Sequence, residues 1–248
     1  MKQKKVYILF TMITLAIISL FFSIYLTRFF TTQAKQEAAE AKKFAQAQEV
    51  ARLKAIEENK TYSEKMNDQI EQGKFKARLD VPLIIQTDEP WRDAFYGEEG
   101  GNSLTNTLAI NGCALTALAM VSSFIENKEI SPIDILEWSG NRYFTEENGT
   151  AWHIFHDYAL AKDYTWIDLE DKVDAAKKEL QAGHAVIVSV KHGYFTEVGH
   201  VMVLTGYDPE SNTFWINNPS DNEEKKHTSK AFTEEELTKE ALRYWTIY

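Results

Sequence analysis

The sequence predicts an α+β domain whose helices precede its sheet, behind a membrane-spanning helix and a helical stalk. Residues 6–26 carry no charged side chain, the first glycine is Gly73 and the first proline is Pro82, and β-branched or aromatic runs gather after residue 184. Helices followed by runs of strands are typical of the α+β class. We therefore divide the chain into a short basic tail (1–5), a transmembrane signal anchor (6–27), a helical stalk (28–74) and a globular domain (75–248).

The N-terminal region has the composition of a membrane element. After "MKQKK" comes the uncharged run "VYILFTMITLAIISLFFSIYL", and about 20 helical residues cross a hydrocarbon core of about 30 Å. Signal peptides have shorter apolar regions of roughly 7–15 residues, so we expect an uncleaved, single-pass anchor in the cell membrane. A cleaved signal peptide, with "TQA" at 32–34 as a weak cleavage site, is the alternative. The lysines before the run favour an extracellular C-terminal domain, and a cytoplasmic domain is the other orientation.

The stalk and the globular domain differ in composition and in charge. The stretch "QAKQEAAEAKKFAQAQ" is rich in strong helix formers and poor in large apolar residues, which favours a solvated helix over a coiled coil. Residues 1–74 have a net charge of +4 and residues 75–248 a net charge of −14. Nucleic-acid binding requires clustered Lys and Arg, so the acidic domain argues against a nucleic-acid partner.

The globular part divides into helical and extended segments. "CALTALAMVSSFIEN" has apolar residues at helical spacing, and "SPIDILEWSG" has Ser131 as N-cap and Gly140 after its end. Two further helices are predicted in "AWHIFHDYALAKD" and "DKVDAAKKELQAG", and "LDVPLIIQ" is predicted to be extended. The predicted strands cover 184–190, 200–208, 213–217 and "RYWTIY", the last after a capping box of Thr233 and Glu236.

The single cysteine, Cys113, excludes an internal disulfide and stands at the start of a predicted helix. Unpaired N–H groups and the helix dipole favour a thiolate there, although a lone cysteine beside Ala and Leu also fits a packed core. His153 and His156 lack matching third and fourth ligands. We therefore expect no metal and no cofactor.

Two polar residues frame the predicted hairpin around "DPESN". His200 begins one strand and Asn218 follows the other, and their equal parity places both side chains on one face. An asparagine oxygen that accepts from an imidazole N–H holds the ring in one tautomer, as a general base requires. An incidental histidine beside a turn asparagine is the alternative.

Six segments in fixed order carry a resemblance to a known family: "LDVPLIIQTDEPWRDAFYG", "NGCALTALAMV", "NGTAWHIFHDYA", "LQAGHAVIVSV", "GYFTEVGHVMVLTGYD" and "WINNPSD". Across 79–248 the chain resembles the papain-fold cysteine peptidases related to the bacteriocin-processing, double-glycine leader peptidases, in their stand-alone branch. The resemblance implies a papain-like fold with Cys113 as nucleophile, His200 as general base, Asn218 as third member and Gln86 as an oxyanion-hole donor.

The chain departs from that family pattern at two places. Ala114 and Leu115 stand where the family usually has Gly-Pro, and Asn218 stands where it often has Asp. We expect a membrane-anchored thiol hydrolase that cleaves a peptide or protein substrate, with Trp152 as a substrate contact. An acyl or peptidyl transferase that uses the same residues is one alternative. A non-catalytic domain that keeps the fold and binds peptides or cell-wall components is the other.

Overall fold

The computed structural model describes residues 2–146 and 149–248. These form two compact units, Met1–Lys60 and Thr61–Tyr248. The first unit is helical, and the second contains the sheet and the buried core.

The first unit is a single helix, α1 (Lys2–Asn59). It runs without a break through the segments predicted as tail and anchor and through the predicted stalk as far as Asn59. Met1 of the predicted tail lies outside the described residues. An apolar window of 18 residues in α1 has a mean hydropathy of 2.3 and is fully exposed. By length and composition this helix can cross a membrane, and a signal sequence has the same properties.

The second unit packs its helices on both faces of an antiparallel sheet. Its helices are α2 (Tyr62–Glu71), α3 (Leu108–Asn111), α4 (Cys113–Glu126), α5 (Pro132–Ser139), α6 (Ile154–Lys162), α7 (Val173–Gln181) and α8 (Glu234–Thr238). Its strands are β1 (Phe144–Thr145), β2 (Gly149–Thr150), β3 (Trp166–Glu170), β4 (Val186–Val190), β5 (His200–Asp208), β6 (Thr213–Asn217), β7 (Ala231–Thr233) and β8 (Ala241–Ile247). Strands β3 to β8 form the main sheet in the order β3-β8-β4-β5-β6-β7, and β1 and β2 pair separately.

Strand β5 shows how the sheet separates two cores. Val201 and Val203 belong to the core that contains α4, whereas Met202 and Leu204 belong to the core on the other face with α7 and α8. Successive side chains of a strand point to opposite faces, which accounts for this alternation. The predicted α+β class is confirmed.

Helix α2 belongs to the globular unit, which corrects the predicted extent of the stalk. Met66 and Ile70 are each 3% exposed, and the Asn67 side chain both accepts from the Leu83 N–H (2.6 Å) and donates to the Leu83 carbonyl (3.0 Å). The globular unit therefore begins at Thr61 and not at the predicted residue 75. Composition did not separate the two helices because α2 is as polar overall as the end of α1 and buries only one narrow face.

One segment that was predicted to be extended lies outside the sheet, and one strand of the sheet was not predicted. Residues 79–86 are extended but join no sheet ladder; Val81, Leu83 and Ile85 alternate into the core instead. Strand β3 was not predicted; it is an edge strand that pairs only with β8 among the described strands. The predicted N-cap Ser131 of α5 and the predicted capping box of Thr233 with Glu236 in α8 are both present.

Candidate active site

A tight turn between α3 and α4 presents Cys113 as the first residue of α4. The backbone N–H of Gly112 donates to the Leu108 carbonyl at 2.9 Å. A Cβ atom at Gly112 would lie 2.5 Å from that oxygen, so only glycine fits the turn. Ala114 and Leu115 are fully buried in the core. The helix begins at Cys113 with these two residues in its first turn.

The Cys113 thiol lies beside the strand that begins with His200. The nearby backbone N–H groups of Val201, Ala114 and Cys113 itself lower the pKa of the thiol. Burial nevertheless raises the pKa of the Cys113 thiol, and these three N–H groups only oppose that rise. The N–H groups at the helix start act in the predicted direction, but the loss of hydration outweighs them.

The structure brings His200 and Asn218 into contact. His200 Nε2 lies 2.8 Å from Asn218 Oδ1, and the two residues are 7% and 0% exposed. Asn218 follows the last pair of the β5–β6 ladder, Val203 with Asn217. It reaches back diagonally along the shared face, because a bulge between Leu204 and Gly206 shifts the register of the hairpin.

The partners of Asn218 determine which nitrogen of His200 carries a proton. The backbone N–H of Ser220 donates to Asn218 Oδ1 at 2.9 Å, which identifies that end of the amide as the oxygen. His200 Nε2 must then donate to the same oxygen, which leaves Nδ1 with a free lone pair. Burial lowers the pKa of His200 to about 4. The imidazole is therefore neutral at pH 7 and able to accept a proton at Nδ1.

Gln86 links the two sides of the candidate site. Its backbone N–H donates to the carbonyl of Pro219, directly after Asn218, at 2.8 Å. Its side-chain Nε2 donates to the carbonyl of Ala109, before Cys113, at 2.7 Å. An amide nitrogen has two hydrogens, so one remains for an incoming oxyanion.

Trp152 lies on the sheet face that carries α4. It is 39% exposed, and its ring packs edge-on against Trp245 with 5.2 Å between centroids. Trp245 belongs to the core that contains α4. The exposed part of the ring is available to a ligand, and its role as a substrate contact stays a prediction.

Sequence reasoning missed two residues at this site, Ser220 and His227. Ser220 Oγ lies 3.4 Å from His200 Nε2, and Asn218 Nδ2 lies 2.9 Å from His227 Nδ1. The proximity of Ser220 to Asn218 in "WINNPSD" was a signal that could have been used. His227 offered none, because an irregular loop separates it from Asn218.

Residues 78–247 match the family model described as the Peptidase_C39 like family. The chain belongs to this family. The resemblance noted in the sequence and the papain-like fold that it implied are confirmed. Membership in the Peptidase_C39 like family supports a cysteine peptidase fold for this domain, and the match begins after α2.

Two solved structures are similar to this Peptidase_C39 like chain. One is described as a C39-like peptidase from Bacillus anthracis, with 15% identity over 70% of this chain and 98% of its own length and a TM-score of 0.48. The other is the peptidase domain of Streptococcus ComA, a bi-functional ABC transporter of a quorum-sensing pathway. It shows 17% identity over 67% of this chain and 95% of its own, with a TM-score of 0.42. No curated protein matches the chain.

Proposed function

We propose that this protein is an active cysteine peptidase that hydrolyses peptide bonds with Cys113, His200 and Asn218. The observation that carries the proposal is the 2.8 Å contact of His200 Nε2 with Asn218 Oδ1. It leaves Nδ1 of His200 free to act as the base, and the next residue, Val201, has a backbone N–H that lowers the pKa of the Cys113 thiol. In this proposal Cys113 is the nucleophile, His200 the base and Asn218 the orienting group, which is the set of groups that thiol hydrolysis requires.

The reaction begins from a neutral pair. The Cys113 thiol gives its proton to Nδ1 of His200 as the sulfur attacks the substrate carbonyl carbon. The resulting imidazolium, held through Nε2 by Asn218, then protonates the leaving amine as the C–N bond breaks. Water, deprotonated by the same imidazole, hydrolyses the acyl-enzyme and restores the thiol.

Gln86 supplies the stabilisation of the oxyanion in this proposal. The Nε2 hydrogen not used by Ala109 and the backbone N–H of Cys113 in the first turn of α4 donate to the developing negative charge. Trp152 offers an exposed aromatic surface to a substrate side chain. If an amine rather than water takes the acyl group, the same residues perform peptidyl transfer.

We also propose that α1 anchors the protein in the cell membrane as a single pass, with the globular unit outside the cell. The support is the uncharged window of α1 and the lysines that precede it. A phosphatase reporter that is active only outside the cytoplasm, fused after Lys60, is expected to be active. An inactive phosphatase, with activity of a cytoplasmic reporter at the same position, would reverse the orientation.

Cleavage of a mixed peptide pool by the full-length protein in detergent, followed by mass spectrometry, tests the peptidase proposal. We expect cleavage that Cys113→Ala abolishes and that His200→Ala slows by about 10²–10⁴-fold, the usual contribution of a positioned base. Products joined to a second peptide would identify transfer rather than hydrolysis.

His184→Ala is the matched control for His200→Ala. His184 precedes β4, whereas His200 pairs with Val190 at the other end of that strand. The His184 ring stacks on the Tyr248 ring with 3.6 Å between centroids, and its Nδ1 lies 2.8 Å from a carboxylate oxygen of Glu179. We expect this variant to cleave as the wild type does. Cleavage that survives in Cys113→Ala would refute the proposal, and a pool left intact by the wild type would favour the binding-domain alternative.

A further inference from the structure

We propose that His227 is a positioning residue for the candidate active site: as a neutral acceptor, it holds the Asn218 amide in the orientation that sets the tautomer of His200. The inference rests on the proposed function, because it assigns a role in preparing the base of that reaction. It starts from a contact that the proposed catalytic steps do not use, Asn218 Nδ2 to His227 Nδ1 at 2.9 Å.

The two ends of the Asn218 amide have different partners. Oδ1 receives donors, the Ser220 N–H at 2.9 Å and Nε2 of His200 at 2.8 Å. Nδ2 has hydrogens only to donate, so Nδ1 of His227 must have a free lone pair. His227 is therefore neutral, with its proton on Nε2. Asn218 is fully buried, and without this acceptor its NH₂ group would lose a hydrogen bond in a place that water does not reach.

The fold holds His227 in place on several sides. It is 4% exposed, and its backbone N–H donates to Asp221 Oδ1 at 2.9 Å. Its ring packs near three aromatic rings at centroid distances of 5.1 to 5.9 Å, those of Tyr194, Phe195 and Phe232. A histidine fixed by both backbone and ring contacts presents Nδ1 to Asn218 in one geometry.

Protonation of His227 would replace the acceptor that faces Asn218 Nδ2 with a donor. An Nδ1–H group facing Nδ2 sets two donors against each other, and a flip of the amide relieves this clash by turning Oδ1 toward His227, at the cost of the hydrogen bond from the Ser220 N–H. Nδ2 would then face His200 Nε2, which must become the acceptor, and the His200 proton would move to Nδ1. In that tautomer His200 cannot take the thiol proton, so the site is inactive until His227 loses its proton.

The charged groups around His227 shift its pKa in both directions. The main cause of its lowered pKa is burial. Lys225 and Lys230 act in the same direction, whereas the carboxylates of Asp221 and Glu240 oppose it. His200, on the far side of Asn218, is itself neutral at pH 7 and adds to the charge repulsion only when protonated. His227 is therefore protonated only at a pH below the ordinary pKa range of histidine.

The test uses ¹⁵N NMR of the full-length protein in detergent, with ring-labelled histidine and the His200 signals assigned by their loss in His200→Gln. We expect His200 to carry its proton on Nε2 at pH 7 in the wild type and in His227→Gln, because the glutamine oxygen can accept from Asn218 Nδ2. In His227→Phe we expect a mixture of tautomers. An unchanged His200 tautomer in folded His227→Phe would overturn the proposal.

A second readout follows alkylation of Cys113, the only thiol in the chain. We expect iodoacetamide to react more than about tenfold more slowly at pH 7 in His227→Phe than in the wild type, since the wrong tautomer removes the base. His227→Gln should restore most of the rate. His184→Phe and His184→Gln are the matched controls, and both should react as the wild type does. An equal loss in His227→Gln and His227→Phe would indicate a merely structural role and overturn the proposal.

An acid titration decides the matter if His227→Phe does not fold. As the pH falls, the wild type should change the His200 tautomer when His227 takes up its proton, whereas His227→Gln should keep it until His200 itself is protonated. Identical titrations of His200 in the two proteins would overturn the proposal. Because no readout requires cleavage, the two proposals fail separately. A protein with the expected tautomers that cleaves no peptide refutes only the peptidase activity.

Discussion

The chemistry of the candidate site depends on the state of single residues. The pKa of the Cys113 thiol is raised and that of His200 is lowered, in both cases first by burial. Both directions favour the uncharged forms, a thiol beside a neutral imidazole. Proton transfer therefore accompanies the attack on a substrate instead of preceding it.

The resting state of Cys113 can be measured by alkylation. Because burial raises the thiol pKa above its ordinary value of 9.0, we expect the iodoacetamide rate constant of the wild type to keep increasing above pH 9. His200→Ala should lower the rate at pH 7, where the imidazole assists, and converge on the wild type at high pH. A plateau below pH 7 in the wild type would instead show a preformed thiolate–imidazolium pair.

Replacement of Gln86 tests the oxyanion hole. Gln86→Ala removes the only side-chain donor that we assign to the oxyanion, so we expect kcat to fall by about 10²–10³-fold with a small change in KM. Gln69→Ala is the matched control, since the Gln69 Nε2 group donates at 3.2 Å to the Lys65 carbonyl within α2. Equal kcat values for Gln86→Ala and the wild type would remove Gln86 from the mechanism.

At the scale of elements, α2 supports the loop that holds Asn218 and His227. The Tyr62 hydroxyl donates to Asp221 Oδ2 at 2.8 Å, and the same carboxylate accepts the backbone N–H groups of His227 and Thr228. A helix adjoining the predicted stalk thus contributes to the order of the site. Its loss would affect both the core and the loop.

Truncation before and after α2 makes this testable. Fragment 61–248 keeps Met66 and Ile70 in the core, whereas fragment 75–248 loses both. At about 1.5–3 kcal/mol for each buried side chain, the shorter fragment should lose roughly 3–6 kcal/mol of its free energy of unfolding. Urea unfolding followed by circular dichroism measures this difference. Equal stabilities of the two fragments would show that α2 is dispensable.

At the scale of the whole molecule, the two buried histidines link stability to pH. The folded-state pKa values of His200 and His227 are lowered, so the unfolded chain binds more protons as the pH falls below about 6.5. Their contribution is fully present above that pH. It is lost as the pH falls toward the folded-state pKa, which for His200 is about 4.

Urea unfolding of fragment 61–248 at pH 7 and pH 4.5 measures this linkage. The lowered pKa of His200 alone corresponds to roughly 3 kcal/mol over its full range. The decrease in the free energy of unfolding between the two pH values should therefore be smaller in His200→Gln, while His184→Gln should behave as the wild type does. An equal decrease in all three proteins would contradict the assigned burial of a neutral His200.

Local sequence patterns determined much of this protein. The helix of Cys113, the short helix from Pro132 to Ser139 with its capping box, and the strands that begin at His200 and Thr213 all follow from periodicity and caps. These features depend on neighbours within a few residues, so a single sequence specifies them. The shared face of His200 and Asn218 is different: the register next to the turn pairs residues of opposite parity, and only the bulge between Leu204 and Gly206 brings equal parities opposite each other.

Only the tertiary structure decided the rest, because it depends on groups far apart in the chain. The helix start suggested a thiolate at Cys113, but packing against β5 removes water and raises the thiol pKa. Polarity placed α2 in the stalk, but contacts with Leu83 and Asp221 join it to the globular unit. His227 reaches Asn218 only through a folded loop. Local patterns specify elements, whereas burial and hydrogen-bond partners arise when distant segments meet.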